Sequence, residues 1–106
     1  MAWIFLLAAG VLEIVWAYTM KLSQGFTRAT PTAVTVLVML ASFALLSISM
    51  KTLPLGTAYT VWTGIGAVGA FVLGVAALGE PLTIARVLAA ALIVAGLSIM
   101  KLTTSG

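Results

Sequence analysis

The chain has 106 residues, 63% of them hydrophobic and 7% charged, with five basic residues, two acids and a formal charge of +3. A soluble domain has about 45–50% apolar and about 25% charged residues, and a fold of this size has too little interior to hide such an excess. A soluble fold is excluded, and the absence of Cys and His excludes disulfides and thiolate or imidazole metal sites.

The first run, MAWIFLLAAGVLEIVWAYTM, covers roughly residues 2–20 and is uncharged up to Lys21 except at Glu13. About 20 apolar residues cross a bilayer as a helix. The start lacks a basic region, and Glu13 interrupts what would be the apolar heart of a signal peptide, so this helix is expected to stay in the mature protein. KLSQGFTRATP follows as a turn with Gly25, Arg28 and Pro31. A second helix is predicted over roughly 32–50, ended by Lys51, Thr52 and Pro54. A third covers 56–78 and stops at Gly79-Glu80-Pro81; a fourth covers 83–101. The runs are continuous and about twice the length of a barrel strand, so they read as helices.

The expected fold is therefore all-α and integral to the lipid bilayer: one domain, residues 1–106, of four transmembrane helices. Short loops make consecutive helices antiparallel neighbours. They leave no extramembrane domain to house an enzyme active site, and no enzyme activity is expected. The positive charge lies at helix ends and implies no nucleic-acid partner. Two acids make no protein cage for a metal, and no cofactor is expected.

Glu13 is the residue that demands a function. It lies about 17 Å along its helix at 1.5 Å per residue, near the middle of a core about 30 Å thick. A charge at that depth costs about 2.5–3.5 kcal/mol or more, so such residues face a cavity and carry function. No Lys, Arg or His lies at matching depth to pair with it. Gly10 and Ala9 lie one turn before it, Trp16 and Ala17 one turn after. The small residues admit another backbone, and Trp16 sets a ring beside the acid.

Helix three opens with a polar and aromatic face, Tyr59, Trp62, Thr63 and Gly66, at a spacing that shares one side of a helix. Helix two adds Ser42, its most central hydroxyl, one turn from Met39. Glu13, Trp16, Ser42, Tyr59 and Trp62 are expected to line one pocket. Trp3 fits an interfacial belt instead, and a Ser such as Ser42 serves helix packing as readily as ligand binding. Gly64 and Gly66 lie mid-helix, where glycine permits close packing and lowers helix stability; packing and a hinge are both open for them. Helix four has Ala91, Ala95 and Gly96 but no central polar group, which fits a subunit contact.

A unit this small can hardly enclose a solute path, and Glu13 needs polar company, so a second copy is expected to complete the site. With the N-terminus inside, inner loops carry Lys51 and Lys101, and outer loops carry Lys21, Arg28 and Arg86. The positive-inside rule then gives almost no orientation preference. Either other signals fix one orientation, or both orientations insert and pair as an antiparallel, dual-topology homodimer with the symmetry of an inverted repeat.

In such a site a proton and a cation compete for the same carboxylates, because an uncompensated charge is disfavoured in low dielectric. Competition with alternating access yields antiport, protons flowing in as a cation leaves. Aromatic faces attract cations, Trp most strongly. A carboxylate beside hydroxyls suits a small planar cation with several N–H donors, such as guanidinium.

At these residues the chain resembles the small multidrug resistance family over its full length. The matching stretches are the Glu13 helix, KLSQGFTR, Pro54-Leu55-Gly56-Thr57-Ala58-Tyr59 and Val61-Trp62-Thr63-Gly64-Ile65-Gly66. Leu12-Glu13-Ile14-Val15-Trp16-Ala17 and KTLPLGTAYTVWTGIGAVGA resemble the guanidinium-exporter subgroup within it. The multidrug subgroup usually has a small residue where Trp16 stands and a tyrosine where Met39 stands. The resemblance implies a proton-coupled exporter of guanidinium or related small organic cations, working as an antiparallel homodimer in the bacterial inner membrane. It implies that Glu13 is the shared proton and substrate carboxylate, that Trp16, Ser42, Tyr59 and Trp62 surround it, and that Gly64 and Gly66 are the flexible pair of helix three. Helix four, VLAAALIVAGLSIMK, fits least. The alternative is a broader multidrug exporter of quaternary ammonium and lipophilic cations by the same exchange. A proton-carrying rotor subunit fits less well, since its usual form is a two-helix hairpin with the acid in the second helix. A non-transporting membrane partner that needs a different subunit is the remaining alternative.

Overall fold

A computed structural model describes residues 1–104 of the chain. It has four helices: α1 Ala2–Leu22, α2 Ala29–Ser49, α3 Leu55–Leu78 and α4 Ile84–Thr103. Each is long and apolar enough to cross a membrane. At 1.5 Å per residue, the 21 residues of α1 cover the thickness of a bilayer core. Hydrocarbon offers no partners to backbone groups, so an apolar chain satisfies them along its own helices.

The start of α1 and the end of α3 fall where expected, and the other helix ends depart by one to three residues. The second helix starts at Ala29, not near 32, because Pro31 sits in its first turn. The first N–H groups of a helix have no intrahelical acceptor, so a proline there forfeits nothing. Gly79 ends α3 in a left-handed conformation, φ 69°, and the Glu80 N–H closes back on the Gly74 carbonyl at 3.0 Å. Glycine adopts this conformation without the Cβ clash that penalises other residues. α4 starts where the Thr83 hydroxyl accepts the Arg86 N–H at 3.2 Å, a side-chain cap.

The turn after α1 is more constrained than its composition implies. Gln24, Gly25 and Phe26 all have positive φ, at 51°, 74° and 66°. Ser23 is fully buried and holds the turn together. Its hydroxyl donates to the Met20 carbonyl and accepts the Phe26 N–H, while its carbonyl accepts the N–H groups of Thr27 and Arg28. This set of hydrogen bonds opposes the cost of two non-glycine residues in the left-handed region.

The Cα atoms span 42 × 34 × 16 Å. The subunit is flattened, its shortest Cα dimension being under half of either of the others. α1 packs on both α2 and α3, and α4 packs on α3. The core is small: Leu6, Ala9, Leu46, Leu53, Ala58, Val61 and Trp62. No residue of α4 is buried, and Leu88, Leu92 and Ile99 are among the large apolar side chains it exposes.

Two hydroxyl contacts join α1 to α2. Ser42 donates to the Ala9 carbonyl at 2.7 Å. Thr19 and Thr35 meet oxygen to oxygen at 2.6 Å, and Thr35 also donates to the Pro31 carbonyl. The foot of α4 is tied to the other helices by Lys101, whose ammonium lies 4.9 Å from the Trp3 ring centre, and by Thr57 with Thr104 at 3.1 Å.

Candidate functional site

Glu13 lies on the face of α1 that meets α3, and glycines set the spacing between the two helices. A Cβ built on Gly10 would fall 2.8 Å from Ile65 Cγ2; one on Gly69 would fall on the Ile14 side chain. Between them, a Cβ on Gly66 would fall on Oε1 and Cδ of Glu13. Each helix thus uses missing side chains to receive side chains of the other, and one of those received is the acid. Gly64 faces α4: a Cβ there would sit 2.7 Å from Leu97. α3 continues as a helix through both Gly64 and Gly66.

Glu13 is half-buried. Its Oε1 is enclosed and accepts no hydrogen bond among the described residues; the indole N–H of Trp16, one turn along, is in the same condition. Buried polar atoms are nearly always paired in a folded protein. One acceptor and one donor on α1, three residues apart, therefore stand out among the described residues.

Next to this lies a satisfied network. Trp62 Nε1 donates to the Ser42 hydroxyl at 3.0 Å, and the Ser42 hydroxyl donates to the Ala9 carbonyl. Ser42 is fully buried, and Trp62 nearly so. This connects α1, α2 and α3 at one level. The Trp62 ring continues into a line of aromatic contacts: Tyr59 at 5.7 Å, Phe43 at 5.8 Å edge-on, and from Phe43 to Trp16 at 6.4 Å edge-on.

Of the residues expected to share a pocket, Trp16, Ser42, Tyr59 and Trp62 are linked by ring contacts, partly through Phe43, and by a hydrogen bond, while Glu13 lies against Gly66 of α3. Glu13 and Trp16 hold unpartnered polar atoms. Ser42 and Trp62 are committed to each other. Tyr59, half-exposed on α3, leans on Trp62 and also lines a cleft of about 490 Å³ between α3 and α4, with Thr63, Gly64, Gly96 and Leu97.

Two participants were not anticipated from the sequence. Phe43 bridges Trp16 and Trp62, yet in the chain it is one apolar residue among many on α2; its place one turn from Met39 and beside Ser42 was the available signal. The Ala9 carbonyl is a backbone acceptor that no side-chain pattern announces. It is free to accept because a helical carbonyl has a second lone pair.

A model of the Small Multidrug Resistance protein family matches residues 1–93. The chain is 56% identical over 104 residues to a guanidinium exporter of Citrobacter freundii, covering 98% of this chain and 99% of that one. The same identity and coverage hold for a guanidinium exporter of Salmonella typhimurium. A guanidinium exporter of Yersinia pseudotuberculosis is 53% identical over 104 residues, with 98% and 100% covered. With four apolar spans and this match along its length, the chain is a multi-pass membrane protein of the small multidrug resistance family.

Proposed function

We propose that this protein exports guanidinium, and small guanidinyl compounds, across the bacterial inner membrane in exchange for protons. The observation that carries the reading is the enclosed, unpartnered carboxyl oxygen of Glu13, with the unpartnered indole N–H of Trp16 one helical turn along. The names of the relatives, guanidinium exporters at 53–56% identity, support the choice of cargo. They also support a transporter with no enzyme activity.

The chemistry follows from the charge. A guanidinium ion offers N–H donors in a plane and binds carboxylate oxygens side by side. Trp16, Trp62, Phe43 and Tyr59 supply ring faces and edges around it, and ring faces attract cations. A proton on Glu13 removes the charge that holds the cation, so each displaces the other. No nucleotide-binding motif is present, and the proton gradient supplies the energy.

The flat subunit supports an antiparallel homodimer. One copy carries one Glu13 and a small core, while two copies can bring two Glu13 side chains to one site. α4, with no buried residue, is the surface each copy offers for pairing. Two copies in opposite orientations are related by a two-fold axis in the membrane plane, so exchanging their conformations exchanges inward-open for outward-open. In this reading Gly10 is a packing residue, and Gly64 and Gly66 are packing residues or hinges.

The test is uptake by the purified protein in proteoliposomes under an imposed pH gradient. Guanidinium should be taken up against its gradient, and tetraalkylammonium ions, which lack N–H donors, much less. Transport of bulky quaternary cations without guanidinium transport would replace this reading with the broader multidrug exchange.

A further inference from the structure

We propose that Gly66 is a positioning residue for the Glu13 carboxyl: its missing Cβ forms the slot in which the acid rests when no cation is bound. This rests on the proposed exchange at Glu13 and adds to it a second, defined place for the same side chain.

Three glycines lie in the contact between α1 and α3, but their occupants differ. Gly10 and Gly69 receive the aliphatic side chains of Ile65 and Ile14, whereas Gly66 receives Oε1 and Cδ of Glu13. Of the two carboxyl oxygens, Oε1 is the one set against Gly66. Oε1 accepts no hydrogen bond among the described residues. The nearby Ser42 proton goes to Ala9, and the Trp62 proton goes to Ser42.

In the proposed pair the titratable group that faces the acid is Glu13 of the partner subunit; within one subunit the described helices carry few others. α2 contains no titratable side chain, α3 contains only Tyr59, and α4 has Arg86 and Lys101 near its ends. α1 adds Tyr18 and, in its last turn, Lys21.

The slot gives Oε1 no hydrogen-bond partner among the described residues, and a guanidinium ion must draw the carboxylate out toward the aromatic residues. Filling the slot with a methyl group biases Glu13 toward the cation-binding position at every pH. The coupling between proton and cation weakens, although nothing that touches the cation has changed.

The experiment is guanidinium binding to the purified, reconstituted protein at pH 6 and pH 8, read by tryptophan fluorescence. The wild type should bind more weakly at pH 6; equal affinities would defeat the proposed exchange itself. In Gly66→Ala the ratio between the two affinities should shrink by about tenfold, the scale of overpacking one methyl in a tight contact. Gly69→Ala overpacks the same helix pair against Ile14 and should keep the wild-type ratio. Glu13→Asp shortens the acid by one methylene, so the Glu13→Asp/Gly66→Ala double variant should recover a larger ratio than Gly66→Ala alone. Should Gly66→Ala fail to fold, the double variant should restore folding. A wild-type ratio in Gly66→Ala, the same loss in Gly69→Ala, or no recovery in the double variant would overturn the assignment.

Discussion

Trp62 and Ser42, 20 positions apart in the chain, form one buried hydrogen bond of 3.0 Å between α3 and α2. Because Ser42 also donates to Ala9, the indole orientation is fixed from two other helices. The ring that Trp62 presents to Phe43 and Tyr59 is held through its N–H edge.

Ser42→Ala removes the acceptor of the Trp62 indole and the donor to Ala9 together. A buried donor left unpaired costs about 1–3 kcal/mol, and the variant should lose that much in unfolding titrations of the purified protein. Guanidinium binding should weaken as well, because Trp62 is free to rotate.

Phe43→Leu keeps an apolar side chain on α2 but removes both edge-on contacts. An aromatic pair contributes about 0.5–1.5 kcal/mol beyond its buried area. Guanidinium affinity should fall by several-fold to about tenfold, as read by the fluorescence of Trp16 and Trp62. An unchanged affinity would place Phe43 outside the site.

Glu13→Gln keeps the shape of the side chain and removes its titration. The protein should still insert and fold, while proton-driven guanidinium uptake in proteoliposomes falls to the level of empty vesicles. Retained coupled uptake would take the exchange away from Glu13.

The sign of the pH dependence follows from competition. A proton on Glu13 excludes the cation, so guanidinium binding must weaken as pH falls, by at most about tenfold per pH unit for each competing proton. At alkaline pH, where no proton remains to displace, the affinity should become constant. Calorimetric titration across the range checks both the slope and the plateau.

Adding two Lys residues to the loops on one side should bias insertion toward one orientation. If the working unit is the antiparallel pair, activity should fall as one orientation disappears. Co-expression with a chain biased the opposite way should restore it. Full activity from uniformly oriented protein would exclude the antiparallel arrangement.

The spans were legible in the sequence because their cause is local. A helix in hydrocarbon requires only an unbroken apolar run, and Lys51, Pro54, Gly79 and Pro81 interrupt those runs in plain view. Glu13 was legible for the same reason: one acid in oil needs no neighbours to be conspicuous. Tertiary packing decided the rest. Ser42 reads as a ligand contact or a packing contact until α1 and α3 bring it the Ala9 carbonyl and the Trp62 indole. Phe43 is indistinguishable from its apolar neighbours until Trp16 and Trp62 close around it. Gly66 reads as a bend or a ridge until Glu13 occupies the space its side chain would fill. Which atoms meet depends on the rotation and spacing of whole helices, and those are set by the sum of many weak contacts rather than by any one residue.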